Sequence, residues 1–496
     1  MKRLIAVTMC FLLLAGCNSS NVGDTNGESG DLKNVKLKMY LIGDGAPDYD
    51  MVLDEINTLM KNDINATLET SWLVWADWNQ RYPLILSSGE QFDMIFSGDW
   101  AMYGNQAQKG AFLELNELLP KYAPQSYAEM PPEVWEQVEY NDKLYMLPMN
   151  YKEITPQGFV VRGDLRKKYG VGEIKTLDDF GAYLEGASKD PSGIIPYNAG
   201  AFDLEMWLNY ITLTGDCDVF SYALALPHAN PTEVNYLVDT PEYLKLLETT
   251  RSWFQAGYWS REVLVNKTAA RDSLVNGTSA ACILGLLNFN ELYLKVDAKN
   301  PEWELEWYEI APGSPKRIND YSANGVSISA NSKNPERSLM MLELFRNNEE
   351  YFDLTTYGIR GKHYELNDQG KLTLPEGVTA DTNGFPPDNA CPWGWRQDKF
   401  YKSYANAWPK YDETLARISE TAYFNTVRPF KNMDDSLYKN EQAAIINVRQ
   451  QYELPMMWGV VDYNTGLPEL RQKLEDAGIS KVKTLVEERL TAYFSQ

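Results

Sequence analysis

A chain of 496 residues is longer than one hydrophobic core supports, so two or three domains are expected. Hydrophobic residues make up 44% of the chain, which is typical of a globular protein and excludes an intrinsically disordered one. The formal net charge of −23 argues against nucleic acid and anionic lipid as partners, and against a strongly anionic ligand unless a local basic pocket overrides it.

The N-terminus, MKRLIAVTMCFLLLAGC, has the layout of a secretory signal peptide. Lys2 and Arg3 precede an apolar stretch from Leu4 to Leu14, and two small residues then lead to Cys17. A cysteine at this point resembles the bacterial lipobox, which implies cleavage after residue 16 and lipidation of the Cys17 sulfur. The alternatives are a plain signal peptide and a membrane anchor, although the apolar stretch is shorter than the about 20 residues that span a bilayer.

Residues 17–32 are rich in Ser, Asn, Gly and Asp and cannot bury apolar surface. They predict a flexible stalk between the lipid and a folded body. No later stretch is long and apolar enough to form a membrane helix. We therefore expect the body on the extracellular face of the cytoplasmic membrane, held there by the N-terminal lipid alone.

Strand and helix patterns alternate after the stalk. The predicted elements of this first unit are strand Val35–Ile42, helix Asp50–Asn62, strand Ala66–Leu73, helix Asn79–Ser87 and strand Phe92–Phe96. Such alternation predicts an α/β unit with a parallel sheet. Residues 142–149 predict a hairpin edge that runs into a strand crossing to a second unit.

The second unit repeats the alternation and ends in helices. Thr176 and Asp179 have the spacing of a capping box at a helix start. The predicted elements are strand Gly158–Arg162, helix Asp164–Tyr169, strands Ala280–Leu287 and Val326–Ser329, a helix from Asn334, and helices Leu467–Glu475 and Val482–Phe494.

Two α/β units joined by crossing strands predict a two-lobed α/β fold with a ligand cleft between the lobes. Lobe 1 is expected to comprise residues 33–150 and about 323–400. Lobe 2 is expected to comprise residues 151–322 and about 401–496, including a helical C-terminal extension.

Several kinds of active site are excluded or left without support. The chain has two histidines, His228 and His363, too few for a multi-histidine metal site and poorly suited to a Ser-His-Asp triad. No glycine-rich phosphate-binding motif follows a strand. We therefore predict no metal, no cofactor and no catalytic residues. With 69 acidic residues a hydrolytic carboxylate pair could lie in any cleft, but no pattern selects one.

Three cysteines remain after the signal peptide, Cys217, Cys282 and Cys391, an odd number that precludes a complete disulfide framework. Cys282 lies in an apolar run and is predicted to be a core thiol. Cys217, between two aspartates, is predicted to be exposed. A single bridge from Cys217 to Cys391 stays open as an alternative.

The 14 tryptophans and 31 tyrosines include many in predicted loops at the cleft. Flat rings cover the C–H face of a sugar, while forked polar groups bind its hydroxyls, so this pattern favours a carbohydrate ligand; core packing is the alternative for each tryptophan. The candidate ligand-binding residues are Trp75, Asp77, Asp99, Trp100, Asn150, Tyr151, Lys152, Trp207, Tyr321, Asn324, Trp393 and Trp395.

Many short motifs together resemble the extracellular solute-binding proteins of family 1. They are the lipobox, the stalk, Phe92–Trp100, Lys109–Leu115, Leu147–Lys152, Arg162–Gly170, Val448–Asp462 and Leu474–Ile479. The last two are similar to the long Gram-positive subgroup with an extra C-terminal domain. The resemblance implies a hinged, two-lobed periplasmic-binding-protein-like fold of type II. It also implies a monomeric receptor that delivers a carbohydrate to the permease subunits of an ABC importer. The family has no universal binding motif, so the identity of the ligand does not carry over.

We therefore expect a lipid-anchored, non-enzymatic receptor for an oligosaccharide. A secreted glycoside hydrolase and a surface glycan-capture protein without a transport role are the alternatives, and a peptide or lipid-like ligand stays open within the importer class.

Overall fold

The computed structural model describes residues 32–495 except 155, 201–203, 388, 425–429 and 431–434. The predicted signal peptide, Cys17 and all but the last residue of the predicted stalk lie outside the described residues. Within the described part, no helix is long and apolar enough to cross a membrane.

The chain begins with three parallel strands connected by helices. The bounds are Val35–Ile42 (β1), Tyr49–Ile64 (α1), Ala66–Leu73 (β2), Trp78–Ser87 (α2) and Met94–Ser97 (β3). β1 pairs in parallel with both β2 and β3. Leu37, Met39 and Leu41 alternate with polar residues along β1 and are buried. The predicted β1 and β2 are confirmed, and the two predicted helices are confirmed with slightly longer bounds.

Short elements complete this first stretch of lobe 1. They are helices Tyr103–Gln108 (α3), Leu119–Tyr122 (α4), Pro124–Glu129 (α5) and Pro132–Val138 (α6), and strands Glu139–Tyr140 (β4), Lys143–Leu144 (β5) and Leu147–Pro148 (β6).

A second sheet follows, and its strand order is β13-β7-β12-β8. The elements of this part are Gln157–Arg162 (β7), Gly163–Lys168 (α7), Leu177–Ser188 (α8), Ile195–Tyr197 (β8), Leu204–Gly215 (α9), Cys217–Phe220 (β9), Leu224–Pro227 (β10), Asn235–Tyr236 (β11), Pro241–Gln255 (α10), Ala270–Val275 (α11), Ser279–Gly285 (β12), Leu286–Asp297 (α12), Leu305–Glu309 (β13) and Arg317–Ile318 (β14). The capping box is confirmed, because the Asp179 backbone N–H donates to Thr176 Oγ1 and the Thr176 N–H donates to Asp179 Oδ2.

The predicted strand Ala280–Leu287 is too long at its C-terminal end. β12 ends at Gly285, and Leu286 is the first residue of α12. Leu286 is buried like the strand residues before it, so the apolar run continues across the change from strand to helix. The turn brings the start of α12 to the cleft described below.

The chain then returns to lobe 1, through Gly325–Ile328 (β15), Pro335–Asn347 (α13), Glu349–Tyr357 (α14), Glu365–Leu366 (β16) and Leu372–Thr373 (β17). β15 lies between β3 and β6 and pairs antiparallel with both, which gives the sheet order β2-β1-β3-β15-β6. The lobe 1 sheet is therefore mixed, whereas the alternation of elements predicted a parallel one.

The last part of the chain is helical and packs on lobe 2. Its elements are Tyr411–Glu420 (α15), Tyr423–Phe424 (β18), Lys439–Val448 (α16), a π-helical turn at Arg449–Glu453, Leu454–Met457 (α17), Tyr463–Asp476 (α18) and Ile479–Phe494 (α19). Tyr243 Oη donates to Glu453 Oε1 over 3.0 Å, and Trp259 Nε1 donates to the Trp458 carbonyl over 3.1 Å. These buried bonds join the C-terminal helices to the core of lobe 2.

Two large hydrophobic cores divide the described chain. One is built from residues between 37 and 147 and between 326 and 395, and the other from residues between 159 and 310 and between 408 and 490. Three segments, around residues 148–156, 311–324 and 396–407, connect the two. They lie side by side: the Asn150 N–H donates to the Arg396 carbonyl over 2.9 Å, and the Asn319 N–H donates to the Glu153 carbonyl over 2.9 Å. We call these three segments the hinge.

All three cysteines after Cys17 are buried, and none of them forms a disulfide within the described part of the chain. The prediction for Cys282 is confirmed, and the prediction that Cys217 is exposed is wrong. Cys217 is the first residue of β9 and belongs to the core of lobe 2, although the preceding Asp216 is exposed. Burial raises the pKa of Cys217 to about 12.

Candidate functional site

A cleft of about 860 Å³ lies between the two lobes and is floored by the hinge. Lobe 1 contributes the turns after β1, β2 and β3, and lobe 2 contributes the start of α12 and one face of α15. The C-terminal ends of parallel strands meet at one edge of a sheet, which places the lobe 1 turns together. The lobes also touch through Lys295 of α12, whose ammonium lies 3.8 Å from the carboxylate of Asp381.

Three tryptophans form the aromatic wall of the cleft on lobe 1. Trp75 follows β2, Trp100 follows β3, and Trp393 comes from the segment before the hinge. The ring of Trp75 lies 5.9 Å from that of Trp100 and 5.8 Å from that of Trp393. Trp75 is 47% exposed and Trp100 is 40% exposed. Indole faces left open in a cleft are a recognised mark of a binding surface. We call these three residues the tryptophan wall.

Glycine at position 98 allows the tryptophan wall to lie close to the hinge. A β-carbon at Gly98 would clash with the Ala323 carbonyl oxygen. The close approach brings Trp100 Nε1 to 3.3 Å from Asn324 Oδ1, to which it donates a hydrogen bond. The orientation of the Trp100 ring is thus linked directly to a hinge residue.

Glu153 is the centre of a polar network on the cleft floor. Its Oε1 accepts from Arg396 Nη1 over 3.0 Å, and its Oε2 accepts from Asn319 Nδ2 over 3.0 Å and from Asn324 Nδ2 over 3.3 Å. The Arg396 side chain is 5% exposed and that of Glu153 is 15% exposed. The guanidinium also lies 5.7 Å from the Tyr151 ring centroid. The network joins all three hinge segments and presents several donors and acceptors to the cleft.

Asp398 provides a second carboxylate on the floor. Its Oδ2 accepts a long hydrogen bond of 3.4 Å from the Lys152 N–H. Asp398 is exposed, yet desolvation raises its pKa, while the Lys152 N–H and the Lys152 charge act in the opposite direction. The carboxyl therefore takes up a proton at a higher pH than a free aspartate.

Of the twelve predicted ligand-binding residues, six line the cleft: Trp75, Trp100, Tyr151, Lys152, Asn324 and Trp393. Four others are not among the residues that line it. Asp77 precedes α2 and faces Arg81 at 3.8 Å, and Asp99 accepts from the Ser322 hydroxyl. Asn150 pairs through its backbone within the hinge, and the Tyr321 N–H donates to Gln137 Oε1 over 2.8 Å.

Two predicted residues, Trp207 and Trp395, lie in the cores and away from the cleft. Trp207 is fully buried in lobe 2, with its ring 6.1 Å from Trp253 and 6.2 Å from Trp458. Trp395 is 3% exposed in lobe 1 and donates from Nε1 to Thr355 Oγ1 over 3.0 Å. Both rings are covered by other side chains, so neither can stack on a ligand, and for them core packing is the correct interpretation.

Sequence reasoning missed Glu153, Asn319, Arg396 and Asp398 on the floor, and Arg271 and Glu291 on lobe 2. Glu153 lies directly after three predicted residues, 150–152, so its position in the same loop could have identified it as a cleft residue. Arg396 and Asp398 follow the Trp393–Trp395 segment, and no sequence pattern around them indicates a binding residue.

A two-lobed α/β body with a three-segment hinge and a cleft lined from both lobes is the architecture of a solute-binding protein. The chain belongs to the bacterial extracellular solute-binding protein family, whose model matches residues 41–345. Residues 431–495 match a further domain of unknown function, DUF3502, which corresponds to the predicted C-terminal domain.

Three relatives illustrate the similarity. A carbohydrate ABC transporter substrate-binding protein of Streptococcus pneumoniae is 26% identical over 479 residues, covering 94% of this chain and 92% of its own length. The polygalacturonan/rhamnogalacturonan-binding protein YtcQ of Bacillus subtilis is 22% identical, covering 76% of this chain and 77% of its own. The crystal structure of the N-glycan transport solute binding protein NgtS from S. pneumoniae superposes with a TM-score of 0.77 at 22% identity, covering 94% of this chain and 100% of that one. This last similarity confirms the predicted fold.

Proposed function

We propose that this protein is the extracellular receptor of an ABC importer and binds a neutral oligosaccharide in the interlobe cleft. The observation that carries the proposal is the tryptophan wall next to the Glu153 network on the cleft floor. Aromatic rings offer the apolar surface that a sugar ring stacks on, and the network offers the donors and acceptors that its hydroxyls require. The names of the S. pneumoniae relatives, which refer to carbohydrate and N-glycan transport, support the same ligand class.

The charge balance of the cleft supports a neutral sugar over an acidic one. Its lining includes four carboxylates, Asp44, Glu153, Glu291 and Asp398, and three basic residues, Lys152, Arg271 and Arg396. Arg396 is already paired with Glu153, so the described lining offers little excess positive charge to a polyanion. We therefore place the ligand outside the uronate class that the name of YtcQ indicates for that protein.

Ligand binding without bond cleavage is the chemistry that the floor supports best. A glycoside hydrolase needs one carboxylic acid that holds a proton next to the scissile bond. Both oxygens of Glu153 accept hydrogen bonds from N–H donors of the hinge, whereas Asp398, with its raised pKa, is a floor carboxyl that can hold a proton. Membership in a family of solute-binding proteins supports binding over hydrolysis, with the floor groups selecting hydroxyl groups while hinge bending closes the lobes on the ligand and the closed form docks on the permease.

A thermal-shift screen against a library of neutral and acidic glycans tests the proposal. A ligand that binds only the folded state stabilises it by mass action, by about 2.7 kcal/mol at a ligand concentration of 100 Kd, and so raises the melting temperature. We expect a shift with neutral oligosaccharides, and mass spectrometry of the recovered sugar should show the intact compound. Cleaved sugar would favour a hydrolase, and the absence of a shift with every glycan would contradict the proposal.

We also propose that a lipid on the Cys17 sulfur attaches the protein to the membrane. Changing Cys17 to serine removes the sulfur that carries the lipid, so the variant should move from the detergent phase to the aqueous phase in a detergent-partition assay of expressing cells. Cys10→Ser is the matched control, because Cys10 leaves with the signal peptide, and this variant should partition like the wild type. Equal partitioning of the Cys17→Ser variant and the wild type would refute lipid anchoring through this residue.

A further inference from the structure

A second cavity of about 400 Å³ lies on lobe 2 beside the interlobe cleft. It is lined by Asn209 and Thr212 of α9, by Tyr222 between β9 and β10, by Arg317 of β14 and by Tyr423 of β18. We call this cavity the side groove. It has no role in the site described above.

The side groove adjoins the cleft. Gln157 and Asn319 line both spaces, so the two spaces meet at these two side chains. Gln157 Oε1 is buried and has no hydrogen-bond partner among the described residues. A buried acceptor without a donor is unfavourable, and a ligand hydroxyl would satisfy it once the Gln157 amide turns towards the junction. The junction lies at the first residue of β7, on lobe 2, whereas the tryptophan wall belongs to lobe 1.

The turn at Tyr222 keeps an aromatic ring beside the side groove at a conformational cost. Ser221 and Tyr222 have φ values of 49° and 61°, which glycine or asparagine adopts far more readily than tyrosine. A bulky residue in this left-handed region is strained. Tyr222 is 46% exposed, and its ring centroid lies 5.1 Å from the Arg449 guanidinium carbon.

The charged groups of the side groove are balanced by close partners. His228 lies between Asp216 and Asp218, with ring-nitrogen to carboxylate distances of 2.8 Å and 3.2 Å. Arg317 faces Asp320 at 3.4 Å. A groove with paired charges, hydroxyl and amide groups and tyrosine rings suits an uncharged polyhydroxylated ligand.

We propose that the side groove binds the branch of a branched neutral oligosaccharide whose main chain lies in the cleft along the tryptophan wall. This inference rests on the proposed function and narrows its ligand to branched glycans. When the main chain of the glycan stacks on the tryptophan wall of lobe 1, its opposite side faces lobe 2. A branch on that side meets Gln157 and enters the side groove.

Filling the side groove tests this inference. Thr212→Trp puts an indole into the groove, and Thr214→Trp is the matched control, because Thr214 is exposed on the same helix and does not line the groove. Calorimetric titration would use Man1GlcNAc and cellotetraose as linear probes, and Man5GlcNAc and xylosyl-branched cellotetraose as branched probes. The wild type should bind one branched probe at least tenfold more tightly than its linear partner, and the Thr212→Trp variant should lose that advantage while its linear affinity is retained.

A second variant covers the case in which Thr212→Trp does not fold. Tyr222→Asn removes the aromatic ring and relieves the strained turn, so the protein should be at least as stable while branched probes bind about fivefold more weakly. Equal losses for linear and branched probes, or no loss for either, would overturn the branch assignment and leave the proposed function intact. A wild type that binds none of the four probes would overturn the neutral-oligosaccharide proposal and this inference together.

Discussion

Replacing Trp100 by alanine is expected to raise the Kd for the bound glycan about 30-fold, which corresponds to about 2 kcal/mol. Trp100 is held in place by three neighbouring rings, because it stacks with Trp75 and also contacts Trp78 at 5.2 Å and Phe96 at 5.3 Å. These contacts fix the ring before the ligand arrives, so the ligand gains the stacking surface without having to order it.

The matched control for this prediction is Trp135→Ala. Trp135 also stacks on an aromatic neighbour, Tyr127 at 5.0 Å, but it does not line the cleft. Calorimetric titration should give the wild-type Kd for the Trp135→Ala variant. The fold of both variants is checked by circular dichroism. A Trp100→Ala variant that folds and binds with the wild-type Kd would exclude this ring from the binding surface.

Replacing Arg396 by methionine is expected to lower the free energy of unfolding by about 3 kcal/mol, because it leaves the largely buried Glu153 carboxylate without its cation. The same change should loosen the hinge, since Glu153 joins three segments through Arg396, Asn319 and Asn324. Denaturant unfolding measures the loss. The double variant Glu153→Gln with Arg396→Met removes both charges and should recover much of it.

Arg81→Met provides the control for the hinge prediction. Arg81 and Asp77 form an exposed pair with 3.8 Å between the charged atoms, and exposed pairs contribute little to stability. The free energy of unfolding of this variant should stay within about 0.5 kcal/mol of the wild type. If Arg396→Met is equally mild, or the double variant is no more stable than the single one, the Glu153 network does not hold the hinge.

Local patterns were sufficient to predict the framework of the fold. The alternation along β1 and the capping box at Thr176 depend on neighbouring residues only, and both are confirmed. The position of Trp75 and Trp100 at one edge of the lobe 1 sheet was also predictable. Both follow parallel strands, β2 and β3, and topology alone places the C-terminal ends of such strands together.

Local patterns did not predict whether a single side chain is buried in a core or lines the cleft. Trp393 and Trp395 are two residues apart in one short helical turn, yet the first lines the cleft and the second is in the core. Only the packing of β15 and α13 around that turn decides which ring is covered. Arg396 and Glu153 are far apart in sequence, so their pairing depends on how the hinge segments align. The periodicity of neighbouring residues does not indicate that alignment.

The measurement that tests the central claim most directly is a crystal structure of the protein with an oligosaccharide selected by the thermal-shift screen. We predict intact sugar in the interlobe cleft, with a ring face against Trp75, Trp100 or Trp393 and hydroxyl groups hydrogen-bonded to the Glu153 network. Sugar bound elsewhere on the surface, or a cleft that closes without any ring on the tryptophan wall, would contradict the account.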